Sequence, residues 1–344
     1  MTKFELENKL SALKIAGRVA GYNENDFYKC YSIIFNQNVT LSKIKSRAAD
    51  IGLFCGGVAE IEPDETTGAV IIKVLKKDRG AVGIFDFTED INSGKLSDYK
   101  IPLIIGQSEN GTRLYYDLVK CPHLLAAGAT GSGKSVFMHN CIVSAIYSGI
   151  CNIVLIDVKR VEFNIYEGIP HLCHNIAYNP RAAFITLKDV NAEMVRRYQI
   201  LKENKCRNIE EYRQNGGKLN YITVFIDELA DLLLDDRRIE SQLIKIAQLG
   251  RAAGIHLIVA TQRPDSTIIS GLIRVNIPSR VCFAVQKSAD SRIILDQTGG
   301  ENLRGAGDGL FLPIGQKKPL RFQAPYISTA ALDDFIETAR RVND

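Results

Sequence analysis

Short, nearly continuous apolar blocks recur through the later part of this chain. They cover His123 to Ala127, Ile153 to Ile156, Tyr221 to Ile226, Ile255 to Ala260 and Arg280 to Val285. Runs of this length predict strands buried on both faces, as in a parallel sheet. Between them the apolar positions fall at helical spacing, over Val136 to Ser148, Pro180 to Asn204 and Arg237 to Ala253. Strand and helix therefore alternate, which predicts an α/β domain with a parallel sheet flanked by helices.

Residues 1–92 follow another rhythm and predict a small α+β domain. Leu6, Leu10 and Leu13 recur at helical spacing in a charged opening helix, and Phe27 to Phe35 predicts a strand. Thr40 can cap a helix carrying Leu41, Ile44, Ala48 and Ile51 on one face. Val58 to Ile61 and Ala69 to Leu75 flank the turn 62–68 as a strand pair. The basic residues Lys43, Lys45, Arg47, Lys73, Lys76, Lys77 and Arg79 read as the module's solvated face. A polar stretch from Asp90 to Lys100 marks the boundary, so the second domain runs over 93–344. Just inside it, Ile101 to Gly106 and Leu114 to Val119 flank Asn110-Gly111, a hairpin signal.

Composition changes this picture little. With 344 residues, 46% hydrophobic and 24% charged, the chain reads as globular and long enough for two domains. The net charge of +4 permits a polyanionic partner without demanding one. Eight cysteines form no CxxC pair and lie mostly in apolar runs, as reduced core residues of a cytoplasmic protein do. His171 and His174 lack a second ligand pair at metal spacing and read as structural. The most apolar window, Cys141 to Ile156, is broken by Ser144, Ser148, Gly149 and Asn152 and predicts no membrane span. The N-terminus carries no secretory signal.

Chemistry enters at Gly128-Ala129-Thr130-Gly131-Ser132-Gly133-Lys134-Ser135, a phosphate-loop (Walker A) pattern between a predicted strand and a predicted helix. Its glycines let successive N–H groups turn inward on anionic oxygens, at a helix N-terminus that favours them. Lys134 is expected to reach the β- and γ-phosphates of ATP, and the Ser135 hydroxyl to ligate Mg²⁺. Thr223 to Glu228 has the Walker B form, an apolar strand delivering two acids. Asp227 is expected in the Mg²⁺ shell, with Glu228 as base for the attacking water. Gln262, at a strand end, is a candidate γ-phosphate sensor. A cation from a neighbouring subunit often completes such sites, and Arg251, Arg263, Arg280 and Arg292 are available.

The order of further motifs resembles the motor of the FtsK/SpoIIIE DNA translocases. His123-Leu124-Leu125 enters the loop, followed by Tyr166-Glu167-Gly168-Ile169-Pro170-His171-Leu172 and by Glu193-Met194 with Arg196-Arg197-Tyr198. The strongest block is Arg251-Ala252-Ala253-Gly254-Ile255-His256-Leu257, then Ala260-Thr261-Gln262-Arg263-Pro264, Gly271-Leu272-Ile273 and Asn276-Ile277-Pro278. Asp290-Ser291-Arg292 and Ile294-Leu295-Asp296-Gln297 close it, so the match runs over about 101–325. Val158 stands where the family usually has Pro.

The resemblance implies a RecA-like ATPase core and a hexameric ring that threads double-stranded DNA and moves it by ATP hydrolysis, as in chromosome partition. It carries Lys134, Ser135, Asp227, Glu228 and Gln262 onto the nucleotide site, and it favours Arg251 as the element acting on the adjacent subunit. The first domain resembles the family's α domain by position. No winged-helix γ domain, membrane segment or long linker is expected in this chain, which puts sequence-directed polarity and septum anchoring in doubt and suggests either a plasmid or phage setting or a piece of a longer protein. A protein-export ATPase of the same superfamily is the competing reading, and a non-hydrolysing scaffold a third. Intact Lys134, Asp227 and Glu228 weigh against the scaffold, and the motif block favours DNA over protein cargo.

Overall fold

The computed structural model describes residues 3–25, 28–64, 66–76 and 82–341. Phe27, Glu65, Lys77 and Arg79 lie outside the described residues. The chain divides into two compact units, Met1–Ala81 with Glu109–Thr112, and Val82–Ser108 with Arg113–Asp344.

The first unit runs α1 (Lys3–Ala12), β1 (Gly17–Glu24), β2 (Tyr28–Phe35), α2 (Leu41–Lys45), α3 (Ala48–Cys55), β3 (Ala59–Pro63) and β4 (Val70–Leu75). Its strands form one antiparallel sheet in the order β1-β2-β4-β3. Leu6 and Leu10 of α1 pack into its core with Ile33, Ile44, Ile51 and Ile72. β1 carries no sequence signal, because Val19 is its one buried residue and the rest is polar or small. The single helix expected after Thr40 is two helices. Thr40 caps α2 by accepting from the Lys43 N–H, but the Ser46 hydroxyl donates to the Lys43 carbonyl at 2.8 Å and competes with helix continuation. Backbone geometry leaves the helix at Arg47 before α3 restarts.

The second unit runs α4 (Ile84–Asn92), β5 (Pro102–Ser108), β6 (Arg113–Asp117), β7 (His123–Ala127), α5 (Lys134–Tyr147) and β8 (Cys151–Ile156). It continues with α6 (Pro180–Glu203), α7 (Ile209–Gln214), β9 (Tyr221–Ile226), α8 (Leu229–Asp235), α9 (Arg238–Ala253) and β10 (Ile255–Thr261). It ends with α10 (Gly271–Asn276), β11 (Ser279–Phe283), α11 (Ser288–Leu295), β12 (Asp308–Leu312), β13 (Leu320–Gln323) and α12 (Thr329–Arg341). All its strands join one sheet, ordered β6-β5-β13-β12-β11-β7-β10-β9-β8. From β11 to β8 the pairing is parallel; from β6 to β12 and on to β11 it is antiparallel. The antiparallel half extends the expected parallel core. The β5/β6 hairpin belongs to it, at the far edge from the strand it precedes in sequence.

The division of the chain falls at residues 81/82, earlier than the polar stretch suggests. Ile84 and Phe87 of α4 are buried in the second unit's core with Ile101 and Leu103. Asp90 is buried as well. It accepts from Tyr115 Oη at 2.8 Å and pairs with Lys95 at 3.1 Å and Arg113 at 3.0 Å. These partners outweigh the upward push of burial and hold its carboxyl below the usual range.

Two histidines are buried at the entry ends of the central strands. His123 Nδ1 accepts the Leu257 N–H at 3.0 Å, and His256 Nδ1 donates to the Pro122 carbonyl at 3.0 Å. Burial lowers the His123 pKa to about 3 and the His256 pKa to about 4. Both are thus neutral in the folded chain down to pH values at which the unfolded chain binds protons on them. Stability from this source is complete above the ordinary histidine value of about 6.5 and falls as pH falls below it. At pH 5.5 each histidine is expected to cost about 1.4 kcal/mol. Urea midpoints should therefore drop between pH 7.5 and 5.5, and His123→Asn should remove about half of that slope. A flat pH dependence would refute the account.

Candidate functional site

The glycine-rich loop leaves β7 at the centre of the parallel sheet and is tied to both neighbours. The Gly128 N–H donates to Thr261 O at the end of β10, and the Ala129 N–H to Ala284 O beyond β11. Gly131 and Gly133 take positive φ values of 75° and 103°, which side chains other than glycine rarely adopt. Space is also lacking. A Cβ on Gly133 would lie 2.4 Å from Gly307 N, and one on Gly128 2.6 Å from Phe283 Cβ. The wall on that side is a second loop, Arg304 to Gly307, whose Gly307 N–H donates to Ser132 O at 2.8 Å. Arg321 anchors it through a buried pair with Asp308 at 2.9 Å. Sequence reasoning missed this brace; its one signal is the Gly305-Ala306-Gly307 run.

β10 lies between β7 and β9, so the ends of all three converge. Lys134 opens α5 below the loop and reaches across to β9's end, 3.0 Å from Asp227 Oδ1 and 2.9 Å from the Asp227 carbonyl. Both side chains of this pair are 3% exposed. Burial raises the Asp227 pKa above its ordinary value, with Lys134 opposing and Glu162 and Asp157 adding to the rise.

Glu228, 2% exposed, is held from several sides. Its Oε1 accepts from Thr261 Oγ1 at 2.6 Å and from the Ala230 N–H at 3.3 Å, and its Oε2 from the Gln262 N–H at 3.0 Å. The Gln262 side chain turns to the loop, where its Oε1 accepts from Thr130 Oγ1 at 2.7 Å.

The segment after β8 begins at the strand-end acid Asp157 and supplies two groups that the sequence reading did not single out, Lys159 and Glu162. Asp157 folds it by accepting the N–H groups of Arg160, Glu162 and Phe163 at 3.0, 2.9 and 2.9 Å. Lys159 then points to Glu228 and Asp231, at 3.5 and 3.4 Å. Glu162 points the other way, 3.5 Å from His139 Nε2. Its hydrogen bond with His139 lowers its pKa below the usual range against the effect of burial, with Ser135 contributing as well.

The candidate arginines separate. Arg251 is exposed in the last turn of α9, the helix that feeds the start of β10. The length of β10, about 20 Å at the usual rise per residue, stands between it and the loop in its own chain. Arg280 is buried and spent on Asp296 and on the carbonyls of Ile294 and Arg274, a structural set. Arg263 and Arg292 are exposed. The fold thus gathers the loop, Lys134, Asp227, Glu228 and Gln262, and leaves Arg251 at the opposite ends of the strands.

Chemically, the loop can hold an anion, since its N–H groups meet a helix N-terminus. Ser132 Oγ is buried there with no partner among the described residues. Ser135 and Asp227 offer the hard oxygens that Mg²⁺ prefers, and the burial of Asp227, which Lys134 offsets only in part, suits a divalent cation. No helix among the described residues is long and apolar enough to cross a membrane.

A family model, that of the FtsK/SpoIIIE family, matches residues 89–266. The DNA translocase FtsK of Listeria monocytogenes is 37% identical over 349 residues, covering 96% of this chain and 46% of the relative. That of Caldanaerobacter subterraneus subsp. tengcongensis is 46% identical over 248 residues, covering 70% of this chain and 35% of the relative. The chain thus spans less than half the length of these relatives. The pCW3 conjugation coupling protein TcpA, solved in monomer form with ATPγS, superposes with a TM-score of 0.72 at 26% identity over 98% of this chain and 99% of that one. The cytoplasmic domain of the type VII secretion ATPase EccC of Thermomonospora curvata gives 0.63 at 23% identity, over 70% and 31% of the two chains, and shares the fold.

Proposed function

The chain belongs to the FtsK/SpoIIIE family, and from that premise we propose that it is an ATP-driven translocase of double-stranded DNA, working in the cytoplasm as a ring, in the family manner a hexamer. One observation carries the reading: around the glycine loop, Lys134 and Asp227 form one hydrogen-bonded pair, and Glu228, Thr261, Gln262 and Thr130 form a second group beside it. The loop N–H groups and Lys134 bind the phosphates of ATP. Ser135 and Asp227 would hold Mg²⁺, which would supply neutralisation of phosphate charge. Glu228 orients the attacking water and takes its proton as the bond to the γ-phosphorus forms and the bond to the ADP oxygen breaks. Gln262, bridged to Thr130, relays the state of the site to the segment that follows it.

Arg251 serves an adjacent subunit, since its own site lies at the other ends of the strands. Arg263 and Lys287 follow β10 and β11 at the strand ends that carry the loop, and both are exposed, which suits contact with a phosphate backbone. Arg274 is already engaged by Asp296 at 3.2 Å. The likeness to a conjugation coupling protein over nearly the whole of both chains favours mobile-element transfer as the setting, beside chromosome partition. The likeness to secretion ATPases extends to fold alone and gives no support for protein cargo.

DNA-stimulated ATP hydrolysis tests the reading. Binding to unrelated duplexes should be similar and should weaken steeply with salt, by a log–log slope of about −0.9 per phosphate neutralised. Arg263→Ala/Lys287→Ala should lower that slope by about two. Hydrolysis indifferent to DNA, or a flat salt response, would count against DNA as cargo.

A further inference from the structure

The contacts of Glu228 separate into two kinds. Thr261 Oγ1 and the N–H groups of Gln262 and Ala230 come from the residue's own sheet neighbour and its own helix start, positions the backbone fixes. Lys159 comes from elsewhere, at the end of a long side chain 40% exposed, and places its ammonium 3.5 Å from Oε2. Among the described residues it is the one cation within ion-pair distance of this carboxylate. It does not hang free. Asp157 fixes the backbone that carries it through three N–H bonds, and Asp231, one turn into α8, takes the ammonium from the other side at 3.4 Å. Lys159 thereby ties the segment after β8 to the segment after β9, with Oε2 of Glu228 at the junction.

We propose that Lys159 is a positioning residue for hydrolysis, holding Oε2 of Glu228 in the orientation from which that carboxylate works on water. This rests on the assignment of Glu228 as the base. Oε2 has one other donor, the Gln262 N–H, which lies in the plane of the sheet neighbour and belongs to a residue also linked to the loop. Thr261 and Ala230 hold Oε1, and the Gln262 N–H is shared between the two oxygens, 3.2 Å from Oε1 and 3.0 Å from Oε2. Lys159 is the contact made to Oε2 alone, so it sets which way that oxygen faces. Nothing in this arrangement directs Lys159 at the loop itself, so its loss should affect turnover and not nucleotide affinity.

The test uses the whole chain and four variants: Lys159→Met, Lys159→Arg, Glu228→Gln and the pair Lys159→Met/Glu228→Gln. Nucleotide affinity is read with a fluorescent ATP analogue, and kcat and KM from phosphate release with DNA present. Lys159→Met should lower kcat by about tenfold or more with KM and nucleotide affinity within about twofold, the pattern of a group acting beyond ground-state binding. Lys159→Arg should recover most of the rate. In the Glu228→Gln background, Lys159→Met should cost nothing further, because contacting residues that act as a unit are not additive. Normal turnover in Lys159→Met, a loss of nucleotide affinity as large as the loss of rate, or full additivity with Glu228→Gln would each overturn the role of Lys159 alone. Glu228→Gln with wild-type turnover would overturn the assignment of the base and this role with it.

Discussion

Glu228→Gln is expected to bind ATP about as tightly as the unaltered chain and to hydrolyse it at least about a hundredfold more slowly, the usual worth of a positioned base. The substitution keeps the side chain's size in a site where it is almost fully enclosed. It can also keep the Thr261 hydrogen bond, if the remaining oxygen takes the place of Oε1. On the other side an amide NH₂ would face the Lys159 ammonium and the Gln262 N–H, which keeps only its 3.2 Å contact with the Oε1 position. A fall in melting temperature of a few degrees is therefore expected along with the loss of rate, because a charge-assisted contact in an enclosed site is lost. Filter binding of nucleotide, phosphate release and a thermal melt on the same preparation separate the three effects. Turnover near the unaltered rate would remove Glu228 from its assigned role.

Lys134→Ala is expected to fail in two ways at once. A charge-assisted contact to phosphate contributes about 1.5–3 kcal/mol, so nucleotide affinity should fall by up to roughly a hundredfold. Independently of nucleotide, the change leaves the Asp227 side chain buried without its cation. Breaking one side of such a pair costs about 3–5 kcal/mol, which at this chain length lowers the melting temperature by on the order of 10 °C. The double variant Lys134→Met/Asp227→Asn removes both charges. It should regain much of the lost melting temperature and none of the nucleotide affinity. If the double variant melts as low as Lys134→Ala, the pair is not what Lys134 contributes to stability.

Much of the site was legible because its chemistry needs particular residues in fixed order along single strand–loop–helix units. The glycine loop with Lys134 and Ser135, and the acids closing β9, each fall within one such unit, and the apolar strands that carry them are continuous in sequence. What was not legible depends on pairing between distant segments. Nothing in the local pattern of Ile255 to Thr261 tells that it lies between β7 and β9, yet that placement brings Thr261 and Gln262 onto Glu228. Lys159 reads as one more surface lysine until Asp157 is seen to fold its segment inward. β1 and β13 bury too few apolar side chains to alternate visibly. The compact units divide before the polar stretch, whose Asp90 has the look of linker polarity and is a buried, triply partnered acid.

The contact between Gly133 and the Arg304 to Gly307 loop bears on how this domain can be recombined. A phosphate loop is commonly treated as a portable cassette, a few residues that could be exchanged among related ATPases. Here one of its walls is supplied from the far end of the domain, where the Gly307 backbone stands too close to Gly133 to admit even a methyl group. The two segments are a lock and its strike plate. A chimera that imports a foreign loop must import the matching 304–307 segment too, and crossovers between them will yield folded hybrids only when parents agree at both places.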